Sequence, residues 1–237
     1  MIHRAIEERT HNALAKKKAV TIMGPRQVGK STLADAIIPK DAKVLEINGD
    51  NTDVQTMFIN VDEAKMKVLI GNKNFLFVDE AQKIENVGNM LKIVAEKFKD
   101  VKIIVTGSSA FKLAEAVNES LTGRKREFRL YPLSFKEMAD ETSTLEESRM
   151  IDHRLIYGYY PEVVTSPGDE KEVLKELIDS YLYKDVMEEN NIAKPDKLVK
   201  LVQALAFQIG STVSANELAS VVGIDAKTVD RYIEILE

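Results

Sequence analysis

Residues 24–31 read GPRQVGKS, and the run satisfies the spacing G-x-x-x-x-G-K-[ST] at every fixed position. An apolar stretch, AVTIM at 19–23, precedes it, and a helix-forming run, STLADAII at 31–38, follows. That placement carries the chemistry. Gly24 and Gly29 permit backbone turns that a side chain would block, so the loop between them (Pro25, Arg26, Gln27, Val28) can face its N–H groups toward phosphate. The helix that starts at Lys30 aims its unpaired N–H groups and positive dipole end at the same anion. Lys30 then reaches the β- and γ-phosphates, the Ser31 hydroxyl ligates Mg²⁺, and Thr32 lies one helical position on, toward the α-phosphate. A chance glycine-rich turn would not be framed by a strand and a helix at the required ends.

Two further stretches complete the pattern. FLFVDE at 75–80 is a strand that delivers Asp79 at its carboxyl end, where ligands bind in open α/β sheets. Asp79 is expected to hold Mg²⁺, and Glu80 to orient and deprotonate an attacking water. Two acids after a strand can also simply open a helix. KIIVTGSSA at 102–110 is a third apolar strand ending in small polar residues. If this strand lies between the other two, Ser108 would sense the γ-phosphate or position the water; Ser108 or Ser109 would otherwise cap the next helix.

Composition narrows the field. The 237 residues carry no cysteine and three scattered histidines, which excludes disulfides, thiolate catalysis and Cys-built zinc sites and disfavours a His-built metal site. No apolar run approaches the ~18 residues of a membrane helix and no signal peptide opens the chain, so a cytoplasmic protein is expected. Net charge is −5, which argues against general nucleic-acid affinity. Helices are read at 2–16, 53–70, 87–98 and 110–121, alternating with strands that include KVLEING at 43–49 and EFRLYPLSF at 127–135. Several strands are uniformly apolar, so the expected fold class is α/β: a P-loop parallel sheet flanked by helices. After Pro132 the chain turns helical and charged. The expected division is a nucleotide-binding core at 1–135, a lid or linker at 136–170, and a smaller all-α region at 171–237.

GPRQVGKST, FLFVDEAQ, VTGSSAF, SLTGR and LYPLSFKE follow one another in the order found in prokaryotic AAA+ ATPases that carry a C-terminal domain of unknown function, and over roughly residues 20–165 the chain resembles that family. The resemblance implies an AAA+ core, ATP with Mg²⁺, and a winged helix-turn-helix behind it. It also implies an arginine finger just before the last core strand. Arg124 occupies that position, with Arg126 as the alternative, and such an arginine can reach the γ-phosphate across a subunit interface of a homo-oligomer. Lys125 and Arg129 fit a solvated strand edge. YGYYPEVV at 157–164 is similar to the family's Gly-Gly-x-Pro motif near the nucleotide base, matching at Gly158 and Pro161 and departing at Tyr159. Arg4 matches an N-terminal arginine found near the base in the family.

The end of the chain, VSANELASVVGIDAKTVDRYIEILE at 213–237, has a helix-turn-helix pattern with Gly223 at the turn. From Lys194 onward five basic residues face six acidic ones, a balance that predicts weak DNA binding and suits a structural or protein-partner role. A winged domain continues into a β-hairpin after its second helix, so the chain reads as the front part of a longer protein.

Overall fold

The computed structural model describes residues 2–58, 61–107, 120–180, 192 and 194–236. By internal contacts they divide into two units, Met1–Glu170 and Lys171–Glu237.

The first unit is built on five parallel strands: β1 (Ala19–Met23), β2 (Val44–Asn48), β3 (Phe75–Asp79), β4 (Lys102–Gly107) and β5 (Lys125–Arg129). Their order across the sheet is β2-β3-β4-β1-β5. The extra strand β4 therefore lies between the strand that feeds GPRQVGKS and the strand that ends in Asp79. Sequence pattern follows position. The three inner strands are apolar and almost wholly buried, whereas the outer two, VLEIN and KREFR, carry charged residues and each bury only one side chain fully, Ile47 and Phe128. As an edge strand, β5 leaves Arg126 and Arg129 exposed to solvent.

Successive residues of a strand point to opposite faces, and each face has its own core. On one, Val20, Ile22, Phe77, Ile104 and Phe128 pack with α1 (Glu7–Ala15) and α2 (Lys30–Ile37) through Leu14, Leu33 and Ile37. On the other, Met23, Leu76, Val78 and Val105 pack with α4 (Glu63–Ile70) and α5 (Val87–Lys97) through Met66, Leu91 and Val94. The sheet is thus covered on both sides, as parallel sheets are.

Two helices differ from their sequence-based expectation. The run at 53–70 forms α3 (Thr52–Phe58) and α4, because Asp62 accepts the Lys65 N–H at 2.8 Å and caps a new start. α1 begins at Glu7 rather than residue 2, because the preceding residues are drawn into bonds with the far end of the unit: the Ala5 N–H donates to Glu137 Oε1 at 2.8 Å. The expected helix at 110–121 falls almost entirely outside the described residues.

After β5 the first unit ends in four short helices, α6 (Phe135–Glu141), α7 (Thr144–Arg149), α8 (Ile151–Tyr157) and α9 (Pro161–Thr165). Ser134 and Glu137 close a reciprocal capping box at the start of α6. The next helix, α10 (Glu170–Ile178), lies in the second unit apart from its first residue. Beyond it the second unit contains α11 (Pro195–Ala206), α12 (Ala215–Val222) and α13 (Ala226–Leu236). Its core is Leu198, Leu201, Leu218, Val222, Val229 and Tyr232. Gly223 turns the chain between α12 and α13 at φ +74°, and Asp225 accepts the Thr228 N–H at 2.9 Å to start α13. All elements described in this unit are helices.

Candidate nucleotide site

The loop after β1 is shaped by two glycines for different reasons. A Cβ on Gly24 would stand 2.1 Å from the Leu130 carbonyl oxygen, because the chain leaving β5 is tied to β1 by the Leu130 N–H donating to Met23 O at 2.7 Å. Gly29 has φ +92°, a backbone conformation that L side chains avoid. Gly24→Ala forces two backbones apart, and over-packing of this kind costs about 1–3 kcal/mol or more. We expect a lowered unfolding temperature together with weakened ATP binding, measured by thermal denaturation and by titration with a fluorescent ATP analogue.

The carboxyl ends of β1, β4 and β3 bring the polar groups together. Lys30 is buried, and its Nζ donates to the carbonyls of Gly24 at 3.0 Å and Pro25 at 2.8 Å. It also lies 3.8 Å from Glu80 Oε1. Ser31 Oγ donates to Asp79 Oδ2 at 2.9 Å. The hydroxyl of Thr106, a fully buried residue of β4, donates to the other Asp79 oxygen and accepts the Glu80 N–H at 3.4 Å. Glu80 itself sits at φ +47°, and the Gln82 amide donates to its Oε2. The residue before it also anchors β2: Gly49 N donates to Asp79 O at 2.8 Å, an approach so close that a Cβ on Gly49 would meet the Glu80 carbonyl at 2.3 Å.

Beside this cluster lies a cavity of about 440 Å³, within the range of small-molecule pockets. Arg4, Gly29, Thr32 and Pro161 all line it, with apolar walls from Leu33, Leu133, Met138 and Val164. Arg4 is buried and each of its three guanidinium nitrogens donates a hydrogen bond. Nε donates to Glu137 Oε1 at 3.0 Å, Nη1 to Val28 O at 2.9 Å, and Nη2 to Tyr131 O at 2.6 Å. It therefore braces the phosphate loop from below. Glu137 is pushed up by burial, but the Ala5 and Ser134 N–H groups and Arg4 outweigh this and hold its carboxyl below the usual range.

Not every residue singled out in the sequence comes to this site. Arg124 precedes β5, at the opposite end of the sheet. Its carbonyl accepts the Ala19 N–H at 2.9 Å, and its guanidinium meets Glu96 at 3.4 Å. The five residues of β1 separate it from the phosphate loop, about 17 Å at strand rise, so it does not reach a phosphate bound in its own chain. Ser108 lies outside the described residues. Gln82, Glu137 and Gly49 enter the site without having been singled out. Thr106 is announced in the sequence as one of the small polar residues that close the apolar strand KIIVTGSSA.

Hard oxygen donors meet at Ser31 and Asp79, which suits Mg²⁺. Among the described residues no group of three or more His, Cys, Asp or Glu side chains could hold a metal by itself.

A glycine-bracketed loop between β1 and α2, an inserted β4 and an Asp-Glu pair after β3 define a P-loop nucleotide-binding fold with an additional central strand. Residues 16–139 match the AAA domain family, and the chain belongs to it. A second match, to a domain of unknown function (DUF8612), covers residues 148–237. An uncharacterized protein of Methanocaldococcus jannaschii is 27% identical over 224 residues, which cover 87% of this chain and 50% of that protein. One from Haemophilus influenzae is 27% identical over 70% of this chain and 44% of its own length. The chain thus spans about half the length of these curated relatives. The structure is similar to the Walker-type ATPase PABY2304 of Pyrococcus abyssi, with a TM-score of 0.59 at 15% identity over 99% of this chain and 89% of that one. That likeness is one of fold.

Proposed function

We propose that the chain binds ATP with Mg²⁺ and hydrolyses it to ADP and phosphate, the cycle driving a conformational change of an AAA+-type molecular switch. The observation that carries this reading is the convergence of Lys30, the Ser31–Asp79 pair, Glu80 and Thr106 at the carboxyl ends of three adjacent strands, beside a cavity large enough to admit a base.

In this reading the loop N–H groups and the α2 N-terminus cradle the β-phosphate. Lys30, whose Nζ lies on the Gly24 and Pro25 carbonyls, turns to the β- and γ-phosphates. Ser31 and Asp79 would hold Mg²⁺, which would supply neutralisation of phosphate charge. Glu80 accepts a proton from the attacking water. Thr106 keeps Asp79 and the Glu80 backbone in register, while Ser108 remains a candidate sensor of the γ-phosphate. The base enters the cavity lined by Thr32 and Pro161, with Arg4 supporting the loop.

Arg124 takes part only across an interface, stabilising the transferred charge in a second copy. Phosphate release measured against protein concentration tests both statements. Release should require Mg²⁺, and activity per molecule should climb with concentration in the wild type and stay flat and low for Arg124→Ala, by 10³-fold or more at saturation, about the size of finger effects. Absence of protein-dependent release would end the ATPase reading. Constant specific activity, indifferent to Arg124→Ala, would end the role of Arg124 alone.

A further inference from the structure

At the amino-terminal edge of the sheet, opposite the nucleotide site, every strand is entered through a basic residue. In sheet order these are Lys43 before β2, Lys73 before β3, Lys102 opening β4, Lys18 before β1 and Arg124 before β5. The segments 16–18, 39–43, 71–74 and 98–102 together hold eight lysines and two aspartates, in a chain of net charge −5. Backbone bonds tie these segments side by side. Asn74 N donates to Lys43 O at 2.9 Å, and Lys102 N donates to Asn74 O at 3.0 Å. Among the described residues Lys17 alone of the eight pairs with a carboxylate, Asp100 at 3.2 Å, and that pair is solvent-exposed. Such a pair holds little charge in check.

Between the starts of β1 and β4 the edge is concave, with a hollow of about 190 Å³ lined by Lys16, Lys17, Lys18, Lys99 and Lys102, and closed on the β5 side by Arg124. From Lys43 to Lys18 the row crosses three strand intervals, about 14 Å, or roughly four base-pair steps at 3.4 Å. Lysine recognises phosphate as a point charge without bidentate reading of base edges. The aromatic rings along the row are not free to stack on bases: Phe75 is buried with Lys102 Nζ over its ring at 5.3 Å, and Phe98 is packed against the core.

We infer that this lysine edge, opposite the nucleotide site, is a sequence-independent binding surface for the phosphate backbone of duplex nucleic acid. It lies on the first unit and does not involve the helix-turn-helix, whose charge is balanced. Because Arg124 borders the same hollow, a bound duplex and a second copy engaged through Arg124 compete for one face.

The test is fluorescence anisotropy with two labelled 20-base-pair DNA duplexes of unrelated sequence, using the whole chain. Wild type should bind both alike, and with about four phosphates neutralised its affinity should fall on the order of 10²-fold between 50 and 200 mM salt. The variant Lys43→Glu/Lys99→Glu/Lys102→Glu should lose 10-fold or more in affinity at 50 mM salt, while its circular dichroism and basal ATP binding match wild type. Lys227→Glu/Arg231→Glu in α13 should bind as wild type does. No binding by wild type at 50 mM salt, undiminished binding by the lysine-edge variant, or loss only in the α13 variant would overturn the inference. Sedimentation that shows the lysine-edge variant dissociating an oligomer, with DNA affinity unchanged, would assign the surface to a second copy and overturn it equally.

Discussion

Glu80→Gln is expected to bind ATP as tightly as the wild type and to hydrolyse it about 10²–10⁴-fold more slowly, the range set by loss of a general base. The substitution keeps size and hydrogen-bonding reach while removing the proton acceptor. Position makes the effect selective. Glu80 follows Asp79, which is fixed by Ser31 and Thr106, and its own backbone is held by the Thr106 hydroxyl at 3.4 Å and by a left-handed φ of +47°. The side chain is steadied by Gln82 and lies 3.8 Å from Lys30. A neutral amide there leaves the Ser31–Asp79 pair and the phosphate loop untouched, so binding and turnover should separate. Phosphate release under saturating ATP, read beside the affinity for a fluorescent ATP analogue, measures the split. Equal losses in both would mean that Glu80 supports binding rather than proton transfer.

The second large effect is structural. Glu137→Ala is expected to destabilise the Met1–Glu170 unit by about 3–5 kcal/mol, the cost of leaving one partner of a buried ion pair uncompensated. Glu137 takes the Ala5 N–H, the Ser134 N–H and Arg4 Nε, so its removal frees the N-terminal segment and the start of α6 together. Arg4 would remain buried with only the Val28 and Tyr131 carbonyls, and Val28 belongs to the phosphate loop. ATP affinity should therefore fall as well. Acid should erase the difference between the two proteins. The Glu137 carboxyl titrates below its ordinary range in the folded state, so its contribution is complete above that range, about pH 4.3, and disappears as pH falls through the depressed value. Denaturant unfolding of both proteins from pH 7 down to pH 3 follows it. A gap that stays constant over this interval would place the stability elsewhere. The double variant Arg4→Met/Glu137→Leu should recover part of the loss, because a well-packed apolar pair avoids the stranded charge.

The sequence exposes what is local and periodic. Apolar runs at 19–23, 75–78 and 103–105 announce buried strands, and the alternation of strand and helix announces a parallel sheet. The run GPRQVGKS names its own loop because motif and flanking elements are contiguous. Contacts between distant residues leave no such trace. Arg4 and Glu137 are 133 positions apart, and nothing in MIHRAI indicates that its arginine turns under the phosphate loop. Asp62 illustrates a different limit: the apolar spacing of 53–70 continues across it, yet a single cap resets the helix. The cluster LTGRKREFRLYPLSF looks concentrated in the sequence, but the sheet divides it. Arg124 joins the lysine edge, while Arg126 and Arg129 lie along an exposed outer strand. That edge is itself invisible locally, since its lysines come from four separate turns.

The most direct test of the central claim is the identity of the nucleotide recovered from the protein after mixing with ATP and Mg²⁺. Wild type and Glu80→Gln would each be quenched in acid after one wild-type turnover time, and the extracted nucleotides separated. ADP from the wild type and intact ATP from the variant is the result predicted here. ADP in equal amounts from both would contradict it.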